Sequence, residues 1–127
     1  MAKILVVDDE RSIRNSMKEV LGFEGHTVIL AEDGESGLKE AEKEQFDLVF
    51  SDIKMPKMDG IELLAKMRQL QPSTKMILIS GHGTIETAVQ CMRNGAFDFI
   101  EKPMNLNRLL QAVKEAMSRE STEGSNL

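Results

Sequence analysis

A chain of 127 residues with 41% hydrophobic and 29% charged side chains suits a single domain with its own core. The net charge of -5 leaves no basic footprint for nucleic acid, and the lone cysteine, Cys91, excludes an internal disulfide framework and suits a reducing cytosol. No apolar run approaches the ~20 residues of a membrane span, and the N-terminus turns acidic too soon for a signal peptide, so a cytoplasmic protein is expected.

The first apolar run, residues 4–7, is too short for a helix and rich in β-branched side chains, so it reads as a strand. It ends at Asp8, Asp9 and Glu10. Ile13, Met17, Val20 and Leu21 then share one face of a helix. A second strand at 28–31 ends at Glu32 and Asp33, and a weaker helix follows around 34–42, where Gly34 and Gly37 offer little to bury. The third strand, 48–50, runs into Ser51 and Asp52. Beyond a turn containing Pro56 and Asp59-Gly60, Ile61, Leu64 and Met67 mark a helix that stops before Pro72. The fourth strand, 76–79, ends at Ser80 and Gly81. Thr84, with Glu86 and Thr87 behind it, opens a helix whose apolar residues are Ile85, Ala88, Val89 and Met92, and Asn94-Gly95 closes it. The fifth strand, 97–100, leads into Glu101, Lys102 and Pro103. The last helix carries Leu106, Leu109, Leu110, Val113 and Met117. Periodicity stops after Arg119, which makes 1–119 the expected domain and 120–127 a polar tail or the start of a linker.

Five strand-helix units with short links predict an α/β, doubly wound parallel sheet. The near-continuous apolar first, third and fourth strands predict burial on both faces. Ligands of such sheets sit beyond the carboxyl ends of the strands. Asp8, Asp9, Asp52, Ser80 and Lys102 all follow strands and should therefore converge. Carboxylates ~4 Å apart repel by about 4 kcal/mol at an effective dielectric near 20. A hard divalent cation relieves that repulsion, and Mg2+ is the natural one, with Mn2+ able to substitute. Nucleophile, metal, ammonium and hydroxyl are together the set needed to move a phosphoryl group onto a carboxylate.

Asp8-Asp9, Asp52 with Met55-Pro56 and Asp59-Gly60 behind it, Ser80, and Lys102-Pro103 resemble the receiver domains of two-component response regulators. The resemblance runs to Arg119. It implies the flavodoxin-like (βα)5 fold with strand order 2-1-3-4-5, for which the receiver CheY is itself a standard example. It also implies that Asp52 is phosphorylated by the phosphohistidine of a sensor histidine kinase. Asp8, Asp9, Asp52 and the backbone carbonyl of Lys54 would serve Mg2+, Ser80 and Phe99 would form the switch pair, and Lys102-Pro103 is a cis-peptide candidate. Phosphorylation would change the face made by the fourth helix, fifth strand and fifth helix, through which a homodimer or an effector is reached. Ser80-Gly81-His82-Gly83, Ala88-Val89, Met92-Arg93 and the stretch from Gly95 to Ile100 are more narrowly similar to NtrC-like transcription activators, in which ATPase and DNA-binding domains follow the receiver. This chain would then be either a fragment of such a regulator or a stand-alone receiver acting through protein contacts. Met104 and Phe99 depart from the family's commoner Phe and Tyr at those positions.

Each residue has a plainer alternative. Asp8-Asp9 could cap a helix, Asp52 and Ser80 could serve turns, Lys102 could be a surface lysine, and Phe99 could be packing. Their shared sheet edge favours the site. His82 and Cys91 have no second ligand at zinc spacing. An Asp-nucleophile phosphatase resembling haloacid dehalogenases would need an acid two residues after the nucleophile, where Lys54 stands, so the chain is not expected to be an enzyme beyond its own phosphorylation and slow autodephosphorylation. A receiver degenerated to a binding module would have lost an acid or the lysine, and a nucleotide site would need a Gly-rich loop after the first strand. Lys54 and His82 are expected to flank hydrolytic water and to set the lifetime of the phosphoryl group.

Overall fold

The structure, a computed structural model, describes residues 1–125, with side chains as far as Ser118. Strands β1 (Lys3–Val7), β2 (Thr27–Ala31), β3 (Leu48–Asp52), β4 (Lys75–Ser80) and β5 (Asp98–Glu101) alternate with helices α1 (Arg11–Phe23), α2 (Gly34–Lys43), α3 (Gly60–Leu70), α4 (Ile85–Arg93) and α5 (Leu106–Ser125). All strand pairs are parallel, in the order β2-β1-β3-β4-β5. Among the described residues, no helix is long and apolar enough to cross a membrane.

Alternate residues of each strand face opposite sides, and each side has its own core. Leu5, Val7, Val49, Met76 and Leu78 pack with Ala41 of α2, Leu63, Leu64 and Met67 of α3, and Cys91 of α4. Ile4, Val6, Leu48, Phe50, Ile77 and Ile79 pack with Met17 and Leu21 of α1 and Leu109, Ala112, Val113 and Ala116 of α5. Full burial of an aliphatic side chain of this size contributes about 1.5–3 kcal/mol. Strands β1, β3 and β4 are buried on both faces, as their apolar runs predict.

Two helices depart from expectation. In α2, Gly34 and Gly37 are both buried. A Cβ on Gly37 would stand 2.9 Å from Val7 Cγ2, and one on Gly34 would stand 2.8 Å from Met58 O. The glycines therefore do not weaken the helix's seat; they allow α2 to lie close on β1 and on the chain after β3. In α4 the expected core face is largely turned to solvent. Ile85 is 86% exposed, Val89 43% and Met92 47%, while Cys91 is fully buried. Periodicity defines an apolar stripe, but it does not say whether the sheet or a partner covers it. The side chains of the expected tail, 120–127, lie outside the described residues, although the α5 backbone is helical to Ser125.

Candidate functional site

Register sets the relative heights of the strand ends. Val7 pairs with Ser51, and Asp52 pairs with Ile79. Asp8 and Asp52 therefore leave adjacent strands at one level. Both are buried, Asp8 at 1% exposure and Asp52 at 5%. Ser80 pairs with Glu101, and the Lys102 amide donates to the Ser80 carbonyl at 2.8 Å. This fixes the Lys102 backbone two strands from Asp52 and three from Asp8, and its long side chain reaches back. Lys102 Nζ lies 3.2 Å from Asp8 Oδ2, 3.2 Å from Asp52 Oδ2 and 3.5 Å from Glu10 Oε1. The Lys102-Pro103 peptide is cis.

Local contacts hold each acid. Asp8 Oδ1 accepts the Glu10 amide at 2.8 Å, and the Asp8 carbonyl accepts Arg14 Nη1 at 2.7 Å. Asp8 Oδ2 is buried and makes no hydrogen bond, so Lys102 serves it as a nearby charge without hydrogen-bonding alignment. Asp33, Asp59 and Thr84 cap α2, α3 and α4 with their side chains, whereas α1, the helix that follows Asp8 and Asp9, has Glu10 at its N-cap and no side-chain cap bond. Glu10 rather than Asp8 or Asp9 is thus the N-cap residue of α1, and Asp8 holds the amide of that N-cap residue. Behind Asp52, the Ile53 amide donates to Ile79 O and the Gly60 amide to Ile53 O. A Cβ on Gly60 would collide with Asp52 O, so α3 can begin directly behind the Asp52 peptide only with glycine there.

Asp9 and Glu10 are exposed, and one carboxylate oxygen each from Asp8, Asp9 and Glu10 lies within 4.8 Å of the others. With Asp52 this makes four carboxylates against one ammonium. Burial raises the Asp52 carboxyl above its ordinary value, and the Asp8 charge raises it further, against the pull of Lys102. Burial also pushes the Lys102 ammonium down, but Asp8 and Asp52 together outweigh it and hold the group above its ordinary value. The donors are all hard oxygens, and the buried, hydrogen-bond-free Asp8 Oδ2 is what a divalent cation would satisfy, so the acidic site fits Mg2+.

The other expected residues lie at the same sheet edge, in different states. Ser80 is buried, and its Oγ accepts the His82 amide at 3.1 Å. Phe99, on β5, is half-buried against the α2-α3-α4 core. Lys54 and His82 are exposed on the loops after β3 and β4. Glu10 and Arg14 are additions to the expected set. Glu10 directly continues the acidic run, which is a legible signal; Arg14 acts on a backbone carbonyl, which leaves no pattern in sequence.

Residues 4–114 match the family model of the response regulator receiver domain. The chain belongs to that family. The receiver is 36% identical over 118 residues to the transcriptional regulatory protein GlrR of Escherichia coli K12, covering 93% of this chain and 27% of GlrR. It is 39% identical to the C4-dicarboxylate transport regulator DctD of Rhizobium meliloti, covering 89% of this chain and 25% of DctD. These relatives are regulators of the NtrC type, and the chain spans about a quarter of their length. Among solved structures, a CheY-like receiver from Methanospirillum hungatei superposes with a TM-score of 0.92 at 39% identity, covering 97% of this chain and 98% of its own. NtrX of Brucella abortus gives 0.91 at 40%, covering 98% of this chain and 29% of its own. A response regulator from Burkholderia pseudomallei, solved with a phosphorylated aspartic acid, a calcium ion and citrate, gives 0.84 at 28%, covering 99% of this chain and 75% of its own.

Proposed function

We propose that this receiver is a phosphorylation switch in which Asp52 accepts a phosphoryl group from the phosphohistidine of a sensor histidine kinase. An Asp52 carboxylate oxygen bonds to phosphorus as the phosphorus-nitrogen bond breaks, and the imidazole leaves with the bonding electron pair. The observation that carries this reading is the single ammonium, Lys102 Nζ, held 3.2 Å from both buried carboxylates, Asp8 and Asp52. Lys102 exchanges part of that pairing for a phosphoryl oxygen, and the Ser80 hydroxyl donates to another. Asp8, Asp9, Asp52 and the Lys54 carbonyl, with Glu10 at the rim, would hold Mg2+, which would supply the positive charge that lets one anion approach another. Lys54 and His82 flank the approach of water and set the lifetime of the phosphoryl group.

The readout is the α4-β5-α5 face. Ile85, Val89 and Met92 of α4 and Leu106 of α5 leave an exposed apolar surface there, suited to a second copy or an effector. By analogy with the longer relatives, that effector is a transcription-activating output with ATPase and DNA-binding domains in the same chain.

The test is intact-mass measurement after incubation with Mg2+ and acetyl phosphate. A single phosphoryl adduct that is absent from Asp52→Asn supports the switch. No adduct on the native chain, or one that survives Asp52→Asn, overturns it. Slower or faster loss of the adduct in Lys54→Ala and His82→Ala supports their role in hydrolysis, and unchanged lifetimes in both remove it.

A further inference from the structure

The loop after β4 carries two glycines with unlike surroundings. Neither Gly81 nor Gly83 has a positive φ, so backbone conformation requires glycine at neither position. A Cβ on Gly81 would have Lys102 Cδ as its nearest neighbour, at an ordinary 3.9 Å. A Cβ on Gly83 would stand 2.7 Å from Phe99 Cζ, 3.0 Å from Cε2 and 3.4 Å from Glu101 Cγ. Real Cβ atoms do not approach carbon so closely, so one partner must yield. The Phe99 backbone is tied down: residue 99 pairs with Leu78 of β4, and its carbonyl accepts Arg108 Nη2 at 3.4 Å. The ring is the part free to move.

The same loop is attached to the Ser80 side chain. Ser80 Oγ accepts the His82 amide at 3.1 Å, one residue before Gly83. Ser80 hydroxyl, His82 amide, Gly83 backbone and Phe99 ring thus form a continuous path from the acceptor pocket to β5. At one end is a group that can turn toward a phosphoryl oxygen, and at the other is an aromatic ring half-exposed beside the α4-β5-α5 face.

We propose that Gly83 is a positioning residue: its missing Cβ lets the Phe99 ring lie beneath the β4-α4 loop, so that residue 83 sets the resting position of the ring. This deepens the switch reading above and rests on it for its purpose, though not for its geometry. A methyl at position 83 would push the ring out from under the loop while leaving Asp52, Lys102 and the acids untouched. Forcing a side chain ~30° off its rotamer shifts the ratio of two ring positions by roughly 2- to 12-fold.

The test uses the full chain without phosphodonor and follows the Phe99 ring by aromatic NMR, its signals assigned with Phe99→Leu. In Gly83→Ala the ring signals should shift, with the melting temperature reporting that the fold is retained. Gly81→Ala, a methyl on the same loop that meets nothing closer than 3.9 Å, should leave them in place. The α4-β5-α5 amides should also shift in Gly83→Ala, but not when Gly83→Ala is combined with Phe99→Leu, because the smaller side chain removes the collision. Native-like ring signals in Gly83→Ala, equal shifts in Gly81→Ala, or amide shifts that persist without Phe99 would each overturn the proposal. Should Gly83→Ala fail to fold, Gly83→Ala combined with Phe99→Leu should fold as Phe99→Leu alone does, because the collision is gone; a double variant that also fails to fold would overturn the proposal. The acetyl phosphate experiment is separate, so an absent adduct would sink the switch reading without touching the ring measurement, and unmoved ring signals would sink this one without touching the adduct.

Discussion

Gln71 and Thr74 lie at one edge of the sheet and Asp8 and Asp52 at the other, and all four are buried. At the first edge Gln71 Nε2 donates to Ala41 O at 2.7 Å and Glu44 O at 2.8 Å, while Oε1 accepts the Phe46 amide at 2.9 Å. Thr74 Oγ1 lies 2.6 Å from Phe46 O and 2.7 Å from Gln71 Oε1, and accepts Gln45 Nε2 at 3.1 Å. The network is neutral and each Gln71 donor and acceptor is used. At the opposite edge, carboxylates crowd around one ammonium, and Asp8 Oδ2 has no hydrogen bond. A satisfied neutral network stabilises the fold, whereas an under-matched acidic cluster stores a demand for positive charge that a cation can meet. Tightness at one end lets the other end tolerate that demand.

Loss of a partner should therefore destabilise at either edge, whereas loss of a carboxylate at the acidic edge should stabilise. The largest effect is expected from Gln71→Leu, which strands the Phe46 amide and two carbonyls and should cost about 4 kcal/mol in urea unfolding, with acceptor reactivity per folded molecule unchanged. A cost under about 1 kcal/mol would mean that the network does not anchor this edge.

Lys102→Met comes next. It leaves Asp8 and Asp52 buried without their cation and should cost about 3 kcal/mol at neutral pH. The sign follows from linkage. The folded Lys102 value is raised, so its stabilisation is complete below the ordinary 10.5 and is lost as pH rises through the folded value. Native protein should lose stability in that alkaline window, and Lys102→Met should lack this loss. The Asp52 carboxyl is also raised, so stability associated with it is present below 3.8 and falls as pH climbs through its folded value. Asp52→Asn should flatten that part of the curve in pH-dependent melts.

The smallest effect runs the other way. Asp8→Asn removes a like charge beside Asp52 and should stabilise the metal-free protein by about 1 kcal/mol. Mg2+ at ten times its dissociation constant should stabilise the native chain by about 1.4 kcal/mol, and that increment should vanish in Asp8→Asn. Equal Mg2+ shifts in both proteins would remove Asp8 from the metal site.

Much of the fold is legible in the chain because strand-forming runs and turn residues are local. Residues 4–7 and 76–79 are apolar throughout, and the strands built on them are buried on both faces. Asp8, Asp52, Ser80 and Lys102 are legible because each lies at or just past a strand's end, and a parallel sheet brings such positions to one edge. The exposed stripe of α4 is not, because Ile85, Val89 and Met92 have the same spacing whether they face a sheet or a partner. Gln71 and Thr74 look like ordinary polar residues around Pro72, and their value lies in partners up to 30 residues away. Gly34, Gly37 and Gly83 are equally silent, because a missing Cβ signals nothing until the neighbour it makes room for is in place.

The chain alone carries the alternation of strand and helix, the strand-end positions that a parallel sheet gathers at one edge, and the residue types available there. These depend on periodicity and on positions next to strand ends, both written within a few residues. Only the tertiary structure decided that Lys102 serves both Asp8 and Asp52, that Glu10 stands at their rim, and that Gly83 lies over the Phe99 ring. Those facts depend on side chains brought together from strands far apart in the chain, and ångström distances between them are set by packing on both faces of the sheet.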